Sequence, residues 1–138
     1  MPKLSAVALA IIGSAALVTV FFTDDAQAVI QFKREFDRKY VDPDGRSPNQ
    51  RALAAAALKA KCYVCHMDED KKVHNAYGAA LAELLDKDED KQDREKIRAA
   101  LEKVAEMRSA TDSDDAPTFG DIIRAGELPS GYQRVEDK

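Results

Sequence analysis

At 138 residues, with 25 acidic against 21 basic side chains and a formal net charge of −4, the chain has room for one modest domain. It lacks the basic excess that nucleic acid demands. Its two cysteines, Cys62 and Cys65, leave no third thiol for a disulfide framework or a cysteine-rich metal cluster.

The chain opens on a short positive start, Met1-Pro2-Lys3, followed by an apolar run from Leu4 to Phe22. Thr23-Asp24-Asp25 and the small-x-small sequence Ala26-Gln27-Ala28 come next. This is the order of an export signal. The run of 19 residues is longer than the usual signal core of roughly 7–15 and approaches the ~20 that span a bilayer, so a retained anchor is the alternative to cleavage. The polar segment and the Ala-Gln-Ala site favour removal. They predict a signal peptide over 1–28 and a mature domain over 29–138, with 110 residues and a net charge of −3 once Lys3, Asp24 and Asp25 are gone.

The mature part reads as helices throughout. Val29, Phe32, Phe36 and Tyr40 form one apolar stripe, with Lys33, Arg34, Glu35, Asp37, Arg38 and Lys39 on the other faces. Asp42-Pro43-Asp44-Gly45 ends this first helix. Ser47 and Pro48 read as N-cap and first position of a second, alanine-rich helix running to Lys61 with Leu53 and Leu58 along it. A charged segment from Met67 to Lys72 reads as loop, and Asn75 caps a third helix carrying Tyr77, Leu81, Leu84 and Leu85. The charge run from Asp86 to Lys91 reads as a wet connection.

The fourth helix has Asp93 and Glu95 near its start and Lys103 and Arg108 near its end, as the macrodipole favours. Ile97, Leu101 and Val104 form its stripe, edged by Ala100 and Met107. After the polar loop from Ser109 to Ala116, Thr118 and Asp121 suggest a capping box for a short fifth helix that buries Ile122 and Ile123. Gly126 and Leu128-Pro129 stop it, and the tail from Ser130 has little to hold it.

One segment carries chemistry. Cys62-Tyr63-Val64-Cys65-His66 is Cys-x-x-Cys-His, the attachment sequence of c-type haem, in which two thioether bonds clip the macrocycle and the adjacent imidazole reaches the iron. Three other readings compete with it. A thioredoxin-like pair needs the motif to open a helix in a βαβ setting, whereas here it closes one. A structural zinc would draw on Cys62, Cys65 and His74, with His66 to complete the set, but adjacent Cys65 and His66 are poorly placed for one tetrahedral centre. A disulfide between Cys62 and Cys65 closes too short a loop to stabilise much.

With these residues in view, the chain resembles a small exported monohaem c-type cytochrome, in particular the short single-haem proteins of planctomycete-type bacteria. The resemblance rests on Lys61-Cys62-Tyr63-Val64-Cys65-His66, on Asn75-Ala76-Tyr77-Gly78-Ala79-Ala80-Leu81, and on the segment from Phe119 to Pro129. It implies an all-α, cytochrome c-like bundle of about four to five short helices around one covalent haem c, exported to the periplasm or another extracytoplasmic space of a bacterium. Some proteins of that kind use a distal cysteine and bind nitric oxide. This chain has no third cysteine, so that ligation does not carry over.

The resemblance and the motif make Cys62, Cys65 and His66 the cofactor-binding set, with His66 the proximal iron ligand. The distal side is open to two candidates, Met107 and His74, or to neither. A sixth iron position closed by a protein side chain implies an electron carrier between exported redox proteins, with no membrane role unless the N-terminal segment is retained. An open sixth position implies a binder or sensor of a small diatomic gas. Catalysis has least support, since a peroxidase wants a distal base with an acidic helper and His74 stands alone.

Overall fold

The computed structural model describes residues 24–67 and 71–131, with side chains from residue 30 onward. The apolar run expected as an export signal lies outside the described residues, as does the tail from 132 on. Among the described residues are five α-helices, one 3-10 turn and no strand. The helices are α1 (Asp24–Tyr40), α2 (Pro48–Ala60), α3 (Ala76–Ala82), α4 (Arg94–Ala105) and α5 (Phe119–Ala125), with the 3-10 turn at Lys61–Val64. The all-α expectation holds, and no described helix is long and apolar enough to cross a membrane. The expected cleavage point after Ala28 falls within α1.

Local chemistry sets most helix ends. Ser47 accepts from the Gln50 amide while the Gln50 side chain accepts from Ser47, a reciprocal box with Pro48 behind it. Asp93 caps α4 through the Lys96 amide, and Thr118 and Asp121 form the box expected for α5. Gly126 closes α5 in the left-handed region at φ 91°, and a Cβ there would stand 2.7 Å from the Asn49 carbonyl of α2. Two ends differ from expectation. α2 stops at Ala60 rather than Lys61, and α3 stops at Ala82, leaving Leu84 and Leu85 in the turn that follows.

α4 is the central element, packed against α1, α3 and α5, while α5 also lies on α2. Ile97, Ala100, Leu101 and Val104 are buried along one stripe of α4, and each large one contributes roughly 1.5–3 kcal/mol by leaving water. Phe36 from α1, Tyr77 from α3 and Phe119 from α5 meet in the middle. The Tyr77 ring stands edge-on to both, at centroid distances of 5.9 Å and 5.2 Å. Phe36 is therefore a core residue.

The sequence reading is corrected at several side chains. Glu35, expected on a solvent face, is fully buried, because α4 supplies Arg98 2.9 Å from one carboxylate oxygen and Arg94 3.6 Å from the other. Arg38 of α1 completes the set. Of the two leucines spaced along α2, Leu53 joins the core while Leu58 is 77% exposed. Asp90, within the expected wet connection, is buried and ion-paired to Lys96 at 2.7 Å. Ile123 is buried, whereas Ile122 is only half-buried.

Candidate haem-attachment site

Cys62 and Cys65 sit where α2 ends, which is the negative pole of its dipole. The change of direction is made at Lys61, which takes φ 49° and ψ −111°, a backbone conformation that strains any side chain. From there the chain winds through the 3-10 turn, with the Cys65 and His66 amides both donating to the Cys62 carbonyl at 3.2 Å. The two thiols are free and half-buried.

Burial pushes the Cys65 thiol up to about 12, with Lys33 of α1 opposing the rise and Cys62 and Asp37 adding to it. A thiol so placed stays protonated. A redox dithiol of this spacing opens a helix, whereas this pair follows the end of α2.

His66 is buried, its ring engaged by the Val73 backbone. Its Nδ1 has no hydrogen-bond partner. Burial, and then the proximity of His74, hold the imidazole below 6.5, against the Val73 hydrogen bond, so the ring is neutral near pH 7. A neutral imidazole fixed through a backbone hydrogen bond, with one ring nitrogen unengaged, is the state a metal-ligating histidine requires. With two free thiols three residues apart beside it, this donor set fits haem c.

The segment returning from His66 pairs with it. His66 and His74 form an isolated antiparallel bridge, closed by the Met67 amide on the Val73 carbonyl and the Asn75 amide on the Cys65 carbonyl, each at 3.0 Å. The two imidazoles lie 4.9 Å apart with their planes 31° from parallel. His74 is thus a neighbour of His66 on the same segment pair, with no gap for a flat macrocycle between the rings.

Met107 lies elsewhere, just past the end of α4. There it is half-buried against the core, and its carbonyl accepts from the Phe119 amide at 3.0 Å. The structure therefore joins Cys62, Cys65, His66 and His74 in one region and sets Met107 beside α5. Among the described residues no group of three or more His, Cys, Asp or Glu side chains could hold a metal ion between them. The four residues of the zinc alternative do not converge.

Two residues of the site are not evident from the sequence. Asn75 is legible as the α3 cap, and its Oδ1 does accept from the Gly78 amide at 2.9 Å. The same side chain also turns Nδ2 toward the motif, 3.2 Å from the carbonyls of Tyr63 and Val64 and 3.5 Å from that of His66. Gly78 is the other. A Cβ there would lie 2.0 Å from the Cys65 carbonyl oxygen, so its missing side chain is what lets α3 rest on the motif. The signal available is a glycine early in a seven-residue helix, where it weakens the helix unless something passes close by.

Apolar side chains also stand exposed next to the motif in sequence: Leu58 on α2, Met67 and Val73. Two surface cavities among the described residues, of about 440 Å³ beside Arg34 and Arg94 and about 580 Å³ beside Tyr40 and Asp121, are lined by none of the motif residues. No protein-family model, curated protein or solved structure matches this chain.

Proposed function

We propose that this chain is an exported c-type cytochrome. One haem c is held by thioether bonds from Cys62 and Cys65, with His66 as proximal iron ligand. When bound, the haem supplies an iron that gains and loses one electron. The protein then carries electrons between exported redox partners rather than transforming a substrate. Residues 1–28 direct export to the periplasm or a similar compartment.

The observation that carries this reading is the state of the donor set. Two free thiols three residues apart stand beside a buried, neutral imidazole whose Nδ1 is unpartnered. The exposed Leu58, Met67 and Val73 add apolar surface that a macrocycle would cover. The chain's own part is to hold the thiols and imidazole in fixed register and keep the imidazole neutral.

Expression with a c-type maturation system tests the proposal. The product is expected to be red and to keep its colour through acid-acetone extraction, and Cys62→Ala or Cys65→Ala should abolish or cripple covalent incorporation. A colourless product, or haem that leaves with the solvent, overturns the reading.

A second reading, a haem-based binder of a small diatomic gas, is favoured by the position of His74 against His66. That placement leaves Met107 as the remaining protein candidate for the sixth iron position. The spin state of the oxidised iron separates the two readings.

A further inference from the structure

The backbone of Cys62–His66 is satisfied in an unusual way: each of its five carbonyls accepts a hydrogen bond, and four of those carbonyls are served by Asn75. The Cys62 carbonyl takes the amides of Cys65 and His66. The Cys65 carbonyl takes the Asn75 main-chain amide, and the carbonyls of Tyr63, Val64 and His66 share the two hydrogens of its Nδ2. Capping α3 uses none of these donors, since it needs only Oδ1 on the Gly78 amide. An aspartate or serine would serve as well for that.

Only a side-chain amide offers an acceptor to the helix and two donors to a turn at once, because a carboxylate has no hydrogen to give and a hydroxyl has one. The side chain is buried, so the carbonyls it serves have no ready substitute in water. Gly78 brings α3 close enough for the reach.

We propose that Asn75 is the positioning residue for cofactor attachment. It fixes the turn of residues 62–66 in the chain before the haem arrives, so that both thiols and the His66 imidazole are presented in one register. Asn75 touches none of the reacting atoms; it acts through the carbonyls between them. The proposal rests on the haem reading above. Preorganising the turn removes the cost of ordering it at the moment of attachment.

Asn75→Asp separates the two roles, since it keeps the cap and removes both donors. In the full chain expressed without a maturation system, amide exchange should be unchanged to within about twofold at Gly78 and Ala79. It should quicken on the order of tenfold at Cys65 and His66. Co-expressed with the maturation system, the same variant should lose most of its covalent haem per chain. Wild-type exchange and wild-type haem yield together overturn the proposal.

If the new carboxylate unfolds the chain, Asn75→Ser decides, because it is neutral and still caps. Protection of Cys65 and His66 retained in that variant also overturns the proposal. A wild-type chain that takes up no covalent haem removes the attachment role along with the haem reading, while the exchange experiment still reports whether Asn75 orders the turn.

Discussion

Gly78 faces Cys65 so closely that a methyl group on its Cα would stand 2.0 Å from the Cys65 carbonyl oxygen. The opposing atom is backbone, tied to the Asn75 amide, and cannot swing aside. Gly78→Ala should therefore cost about 1–3 kcal/mol despite the better helix propensity of alanine. Urea unfolding checks it, and an alanine variant as stable as the parent would mean that α3 does not rest on the motif.

Lys61 carries the opposite expectation. At φ 49° and ψ −111° its side chain is a liability, and Lys61→Gly should stabilise the chain by about 1 kcal/mol, the relief of strain exceeding the added freedom of the unfolded glycine. Lys61→Val should destabilise it. The two midpoints, measured side by side, give the sign.

Glu35 gives the fold a dependence on acid. Burial alone would raise its value, but hydrogen bonds from Arg98 and Arg38 together with their charges hold it below 4.5. A depressed carboxylate contributes stability that is present above its unfolded value and disappears as pH falls through the lower folded one. Asp86, Asp90 and Asp121 are depressed too, so the wild-type chain should lose stability steadily below pH ~4.5. Glu35→Gln should flatten that slope without abolishing it, as denaturant midpoints at a series of pH values would record.

The caps are expected to behave independently. Thr118→Ala removes the hydroxyl that accepts the Asp121 amide and should cost about 1 kcal/mol. Ser47→Ala should cost a similar amount at α2, and the double variant should show the sum, since α2 and α5 are capped by separate boxes. Thermal melts of the three variants test this.

Ligation of the iron follows from the proposed function. With Met107 in the sixth position the oxidised protein should be low-spin with a weak near-infrared sulfur-to-iron band, and Met107→Ala should remove the band and lower the potential. Since His74 stands against His66 on the same segment pair, His74→Ala should leave the spin state unchanged. A wild-type spectrum that is already high-spin, with rapid carbon monoxide binding to the ferrous form, favours the gas binder over the carrier.

The sequence by itself determined what depends on near neighbours along the chain. Ser47, Asp93, Thr118 and Gly126 mark helix ends because caps act within three or four residues, and the stripe Ile97, Leu101 and Val104 marks the buried side of α4 because helical period alone aligns it. Cys-x-x-Cys-His was legible for the same reason, being five consecutive residues. Tertiary structure decided the rest. Whether Glu35 met water or the arginines of α4 depended on where that helix lay, with Arg98 63 residues further along the chain. Whether Leu58 joined the core depended on which side of α2 faced α5. The second role of Asn75, the need for glycine at 78 and the placing of His74 against His66 arise only when α3 folds back on the motif. Hydrogen bonds and close contacts between segments leave no period or spacing in the chain that makes them.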